Sequence, residues 1–186
     1  MLIDDSLPHY DVAARYTIEV KAPIDRVYAA VRGVDLSQST ITRWLLARRG
    51  LTRLFQARGR SRKSTLTLAD FMDGGFVLLG EDRPREFLLG LVGRFWTPTG
   101  CVQKLDADGF RSFAQPGFAK AAWNFCLREK GSGRTELATE TRVWCLDAQS
   151  RRRFRLYWFF VGPFSGWMRR EALRLVKKEA ERDRIV

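Results

Sequence analysis

Histidine is almost missing from this chain. His9 is the only one in 186 residues, and it lies in an N-terminal stretch read as mobile. A histidine-based triad or zinc site is therefore excluded in practice. Cysteine is scarce and odd in number. Cys101, Cys126 and Cys145 show no metal-ligand spacing and read as reduced, small apolar side chains. The strand pattern sets Cys126 and Cys145 on opposite faces, so no disulfide is expected between them. There is no Gly-rich phosphate loop and no dinucleotide fingerprint, and no cofactor is expected. No apolar run approaches the ~20 residues that span a bilayer. The longest, Leu156 to Gly162, stops at Pro163. Met1 to Tyr10 carries Asp4 and Asp5 and no basic segment, unlike a signal peptide, so a cytoplasmic location is expected.

Acid is absent from Arg43 to Lys63, while arginine is abundant there. The whole chain has a formal net charge of +12 and a pI near 10.3. That balance promotes non-specific attraction to anions and says nothing of fold. Arg58, Arg60, Arg62 and Lys63 are the candidate contact for an anionic lipid surface. Nucleic acid is disfavoured, because no known module is present and no aromatics interleave this run. A merely solvated basic surface stays open.

What the chain does have is apolar and aromatic residues, 45% and 12% of the total. These fractions exclude a disordered chain. The length suits one domain spanning 1–186, with 1–13 as the mobile segment. Tyr16 to Val20 reads as a first strand. Pro23 opens a helix with Ile24, Val27, Tyr28 and Val31 on its apolar face and Gly33 at its end. A second helix is expected over Ser39 to Arg49, then a basic loop from Gln56 to Ser64. Strands follow at Leu66 to Phe71, Phe76 to Glu81 and Arg85 to Arg94, with turn signals at Asp73-Gly74-Gly75 and Asp82-Arg83-Pro84. Trp96 to Leu105 and Phe110 to Phe113 are weaker strand patterns.

The last hairpin is the clearest. Ala121 to Glu129 and Arg134 to Asp147 flank Gly131-Ser132-Gly133, a three-residue loop that pairs Lys130 with Arg134. That register sets Leu127 against Leu137, Phe125 against Thr139, Trp123 against Thr141 and Ala121 against Val143. The other face pairs Arg128 with Glu136, Cys126 with Ala138, Asn124 with Glu140 and Ala122 with Arg142. A slip by one residue would oppose apolar to polar throughout. The first set is expected to face the C-terminal helix. The second is expected to face solvent, with Arg128 and Glu136 as an ion pair.

That helix, capped by Ser150, carries a stripe at spacings of three and four: Phe154, Tyr157, Trp158, Val161, Met168, Ala172, Leu175, Val176. Pro163 is expected to kink it near Val161-Gly162. Leu156, Phe159, Phe160 and Trp167 fall off the stripe. They mark a dimer surface or a membrane-touching patch, or they lie covered by the loop from Arg111 to Ala119.

The order of strand, two helices, roughly six strands and one long helix resembles the START-like superfamily, also called SRPBCC. Its members share the helix-grip fold of the birch-pollen allergen. The run Tyr16-Thr17-Ile18-Glu19-Val20-Lys21-Ala22-Pro23, followed by Val27-Tyr28-Ala29-Ala30-Val31, is similar to that superfamily's opening. Gly90 to Trp96, Pro116 to Phe125, Thr139 to Val143 and Arg152 to Arg170 resemble a bacterial branch of unassigned activity. The resemblance implies an α+β fold in which a curved antiparallel sheet of about six to seven strands wraps a long C-terminal helix, with two short helices after the first strand. It also implies a hydrophobic cavity between sheet and helix, for a ligand such as a lipid, sterol or polyketide.

The candidate ligand-binding residues are Trp123, Phe125, Thr139, Thr141 and Val143 on the sheet, and Phe154, Tyr157, Trp158 and Val161 on the helix. The two threonines and the tyrosine would be polar handles among apolar walls; a filled core is the competing reading of the same residues. Catalysis has only weak candidates in Glu86, Arg94, Glu140 and Arg142, whose carboxylate-arginine pairs could orient a carbonyl or act as a base. This cyclase- or dehydratase-like alternative requires the polar hairpin face to point inward, against the register.

Overall fold

The structure is a computed structural model and describes residues 1–33 and 75–182. The elements expected at Ser39 to Arg49, Gln56 to Ser64 and Leu66 to Phe71 lie outside the described residues. So do Asp73-Gly74 and the proposed lipid contacts Arg58, Arg60, Arg62 and Lys63.

In chain order the elements are α1 (Leu2–Ser6), β1 (Val12–Val20), α2 (Ile24–Gly33), β2 (Val77–Asp82) and β3 (Glu86–Gly93). Then come α3 (Ala107–Ser112), β4 (Ala119–Gly131), β5 (Arg134–Cys145) and α4 (Ala148–Glu181). The described strands form one antiparallel sheet of five in the order β1-β5-β4-β3-β2. It curves around α4, which is the helix-grip arrangement. The expected six to seven strands are thus five among the described residues. Trp96 to Leu105 forms turns with a single bridge, Val92 to Gln103. Phe110 to Phe113 is not a strand at all. It falls within and just after α3, which Asp106 caps by accepting from the Gly109 amide. Phe110 is fully buried there.

The hairpin pairs as its alternation predicts: Leu127 with Leu137, Phe125 with Thr139, Trp123 with Thr141, Ala121 with Val143. The loop differs. Gly131 pairs with Arg134 across Ser132-Gly133, and a bulge after Glu129 absorbs Lys130. Ser132 has φ 54 and Gly131 φ 75, left-handed values that a Gly-Ser-Gly run accommodates. Glu136 pairs with Lys130 at 2.9 Å, although it stands opposite Arg128 in the ladder.

The outer face of the sheet departs from expectation. It faces protein where solvent was predicted. Ala122, Asn124, Glu140 and Arg142 are buried there, because α1 and the chain after it lie across them. The segment read as mobile is packed, with Ile3 0% and Leu7 1% exposed. These two join Leu79, Leu88, Val92, Phe110 and Phe118 in an outer core that α3 completes.

The inner face packs on α2 and α4. Val20, Val27, Val31, Phe125, Leu127, Leu137, Leu173 and Val176 form its main core. Asp147, three residues ahead of the expected Ser150, is the N-cap of α4. It accepts from the Ser150 amide at 2.9 Å and from the Gly117 amide at 2.6 Å. Hydrogen bonds from the Ser150 hydroxyl, then from the Ser150 and Gly117 amides, hold its carboxyl down to about 2. The helix runs 34 residues, through Pro163. It crosses β1 closely at Gly166, where an added Cβ would stand 2.3 Å from the Tyr16 hydroxyl oxygen. No described helix is long and apolar enough to cross a membrane.

Candidate functional site

Between the inner face and α4 lies a cavity of about 220 Å³. This is far above the roughly 10–15 Å³ that admits one water. Two hairpin pairs supply its floor, Ala121 with Val143 and Trp123 with Thr141. Leu91 on β3, with Phe76 and Phe95 at the strand ends, extends it. The roof is α4: Phe154, Tyr157, Trp158 and Val161, then Ser165, Met168, Arg169, Ala172 and Leu175. Those positions recur every three or four residues, so one helical face covers the space.

The walls are aromatic and mutually braced. Phe154 stacks on Trp158 at 5.6 Å between centroids and tilts against Tyr157 at 5.8 Å. Phe95 meets Phe154 edge-on at 6.3 Å, as Phe76 meets Trp123. Such offset and edge-on pairs are the favoured geometries, and they hold the rings at the rim of the space. Ala121 and Ala172 contribute only methyl groups to the lining, which leaves volume the larger residues do not take.

Of the predicted ligand-binding residues, Trp123, Thr141, Val143, Phe154, Tyr157, Trp158 and Val161 line the cavity. Phe125 and Thr139 do not. Phe125 lies further along the inner face, in the core shared with α2. Thr139 is fully buried under Trp123. Its hydroxyl accepts the Trp123 indole N–H at 2.7 Å and donates to the Asn124 carbonyl at 2.7 Å. It is therefore no polar handle, and instead fixes the ring that is part of the wall.

Arg169 was not anticipated. Its Nε donates to the Thr141 hydroxyl at 2.9 Å and its Nη1 to the Ser165 hydroxyl at 2.6 Å. No described carboxylate pairs with it. Burial draws its pKa down to about 10, with Tyr16 opposing the shift, so the group stays cationic at neutral pH.

The weak catalytic candidates lie elsewhere. Glu86 accepts from the Leu2 amide at 2.8 Å and from Asn124 Nδ2 at 2.7 Å on the outer face. Arg142 donates from Nε to Glu140 and from Nη2 to Asp4, each at 2.7 Å, and from Nη1 to the Leu7 carbonyl at 3.3 Å. Burial works against the Arg142 charge, but its hydrogen bonds to Glu140 and Asp4 prevail and raise its pKa. The same bond to Arg142 lowers that of Asp4. Arg94 stacks its guanidinium over Phe118 at 4.4 Å. None of the four lines the cavity. These groups anchor the N-terminal segment and brace loops, and no described carboxylate lines the cavity.

Comparison with solved structures returns matches of low similarity. A conserved protein from Geobacillus kaustophilus is 11% identical, over 92% of this chain and 96% of that one, with a TM-score of 0.43. The Zhui aromatase/cyclase from Streptomyces sp. R1128 is 14% identical, over 92% and 94%, with a TM-score of 0.31. The di-domain aromatase/cyclase StfQ of the steffimycin biosynthetic pathway is 15% identical, over 91% of this chain and 44% of that one, with a TM-score of 0.32. No family model and no curated protein matches the chain. Likeness at this level carries no argument about ligand or reaction, which must rest on the cavity.

Proposed function

We propose that this chain is a START-like binding protein that holds an apolar or amphipathic small molecule between sheet and C-terminal helix. The observation that carries the reading is this half-open cavity of about 220 Å³ with apolar and aromatic walls, the usual composition of a small-molecule site. A ligand entering it exchanges water for aromatic walls, at about 25 cal/mol per Å² of apolar surface buried. Titration with the neutral fluorophore N-phenyl-1-naphthylamine tests the reading. Saturable binding to the wild type, lost in a folded Ala121→Phe variant that fills the floor, supports it. Equal binding by both proteins, or none by either, overturns it.

A cyclase- or dehydratase-like activity in the same cavity has less support. Glu86 and Glu140 lie on the opposite face of the sheet, tied to α1 and to Arg142.

A second reading concerns the surface. Leu156, Phe159 and Phe160 are 66%, 75% and 64% exposed, and Phe164 and Trp167 nearly half so. The loop from Arg111 to Ala119, one of the expected covers, leaves them exposed. Exposed Arg152, Arg153 and Arg155 stand on the same half of α4. Aromatic and basic residues together suit the interface of an anionic bilayer. Co-sedimentation with vesicles containing phosphatidylserine, lost in Phe159→Asp/Phe160→Asp, tests it. Self-association lost in the same variant, with no vesicle binding, would assign the patch to a homodimer instead.

A further inference from the structure

Among the described residues, Arg169 is the one cationic side chain lining an otherwise apolar and hydroxyl-bearing space. Its hydrogen bonds go to two neutral hydroxyls, Thr141 and Ser165. A guanidinium has five N–H donors in a planar fork. The described residues accept from Nε and Nη1, and no described group accepts from Nη2. No described carboxylate balances the charge, although α4 itself carries Glu171 two residues on, paired to Arg174. The side chain is half-buried, so its remaining donors are open to water or to a ligand. An anionic group there would exchange neutral hydrogen bonds for charge-assisted ones.

We propose that the cavity is specific for a ring-sized apolar acid, whose carboxylate meets the Arg169 fork while its apolar body lies against Trp123, Val161 and Met168. The proposal rests on the binding function argued above and sharpens it to a ligand class. Thr141 and Ser165 are positioning residues in this scheme. Their hydroxyls accept from Arg169 and hold the guanidinium plane at the cavity wall, leaving its remaining donors for the ligand. Charge-assisted, bidentate pairing is the strongest neutral-pH recognition an arginine offers.

The test uses a matched pair of probes, 2-naphthoate and its neutral amide, 2-naphthamide. Calorimetric titration of the full chain is run at physiological ionic strength, where long-range attraction from the net charge is screened beyond roughly 8 Å. The wild type should bind the acid roughly 10- to 100-fold more tightly than the amide. Arg169→Gln should remove that difference while leaving amide binding intact. Arg169→Lys should retain part of it, and Arg174→Gln, at an exposed arginine on the same helix, should change nothing. If Arg169→Gln does not fold, the ratio in Arg169→Lys and in Thr141→Val carries the decision, since both should lower it. Equal affinity of the wild type for acid and amide overturns the carboxylate assignment and leaves the binding function standing. A preference for the acid that Arg174→Gln abolishes and Arg169→Gln keeps also overturns it. Failure of both probes to bind the wild type overturns the assignment, and it overturns the binding function as well only where N-phenyl-1-naphthylamine also fails to bind.

Discussion

Trp123 donates its indole N–H to the Thr139 hydroxyl at 2.7 Å, and that hydroxyl donates onward to the Asn124 carbonyl at 2.7 Å. Both residues lie on the inner face of the central hairpin. A fully buried threonine thus fixes the orientation of the largest ring in the cavity floor. Thr139→Val keeps the shape and removes both bonds. It should lower unfolding free energy by about 1–3 kcal/mol, read from urea denaturation. It should also weaken N-phenyl-1-naphthylamine binding, although Thr139 does not touch the cavity. Unchanged stability and unchanged binding would show that Trp123 needs no such support.

The N-terminal segment should behave as core. Leu7 packs against the outer face, and the Arg142 guanidinium donates to its carbonyl. Leu7→Ala should cost about 2–5 kcal/mol, measured by thermal or urea unfolding. In hydrogen exchange the amides of Leu2 and Ile3, which donate to Glu86, should be protected. Rapid exchange with no loss of stability in Leu7→Ala would mean the segment is loosely attached.

Acid should weaken the fold through Glu81 and Asp147. Arg83 first, with Tyr28 and Arg32, holds the Glu81 carboxyl near 2, below its ordinary 4.5. A carboxyl whose folded pKa is depressed contributes stability above its unfolded value, and that contribution is lost as pH falls through the folded one. Asp147, lowered from 3.8 to about 2, acts in the same direction. The melting temperature should therefore fall between about pH 4.5 and pH 2. The fall should be shallower in Glu81→Gln and in Asp147→Asn. Identical slopes in wild type and both variants would contradict it.

At Gly166 helix propensity and packing disagree, and packing should prevail. Alanine is favoured over glycine in a helix by about 1 kcal/mol. Here its Cβ would meet the Tyr16 hydroxyl oxygen at 2.3 Å and ring carbon Cζ at 3.1 Å. Gly166→Ala should lower the melting temperature, and Tyr16→Ala in the same chain should recover part of the loss. A higher melting temperature for Gly166→Ala alone would show that α4 can lift off β1 without cost.

What could be read from sequence followed the range of the contacts. The hairpin register was legible because two strands alternate in phase and only one pairing satisfies both. The stripe on α4 was legible because its spacing is helical. Phe110 to Phe113 was misread because a single buried ring resembles a strand residue, while the deciding signal, Asp106 three residues before Gly109, is a cap. The outer face was misjudged because polar side chains at Asn124, Glu140 and Arg142 read as solvated. Their burial depends on partners as far away as Asp4. Arg169 hid within a basic run beside Arg170. Its place four residues after Ser165 and three before Ala172, on the stripe itself, was the available sign.

The most direct measurement is native mass spectrometry of the wild type and Ala121→Phe, purified identically without denaturation. The wild type should carry a non-covalent small-molecule adduct that is released unmodified on denaturation. Ala121→Phe, with the same circular dichroism, should run at its apo mass. An adduct of equal occupancy on both proteins would place the ligand outside the cavity. A wild type found only at its apo mass, and still so after incubation with 2-naphthoate and N-phenyl-1-naphthylamine, would contradict a binding function for the space between sheet and helix.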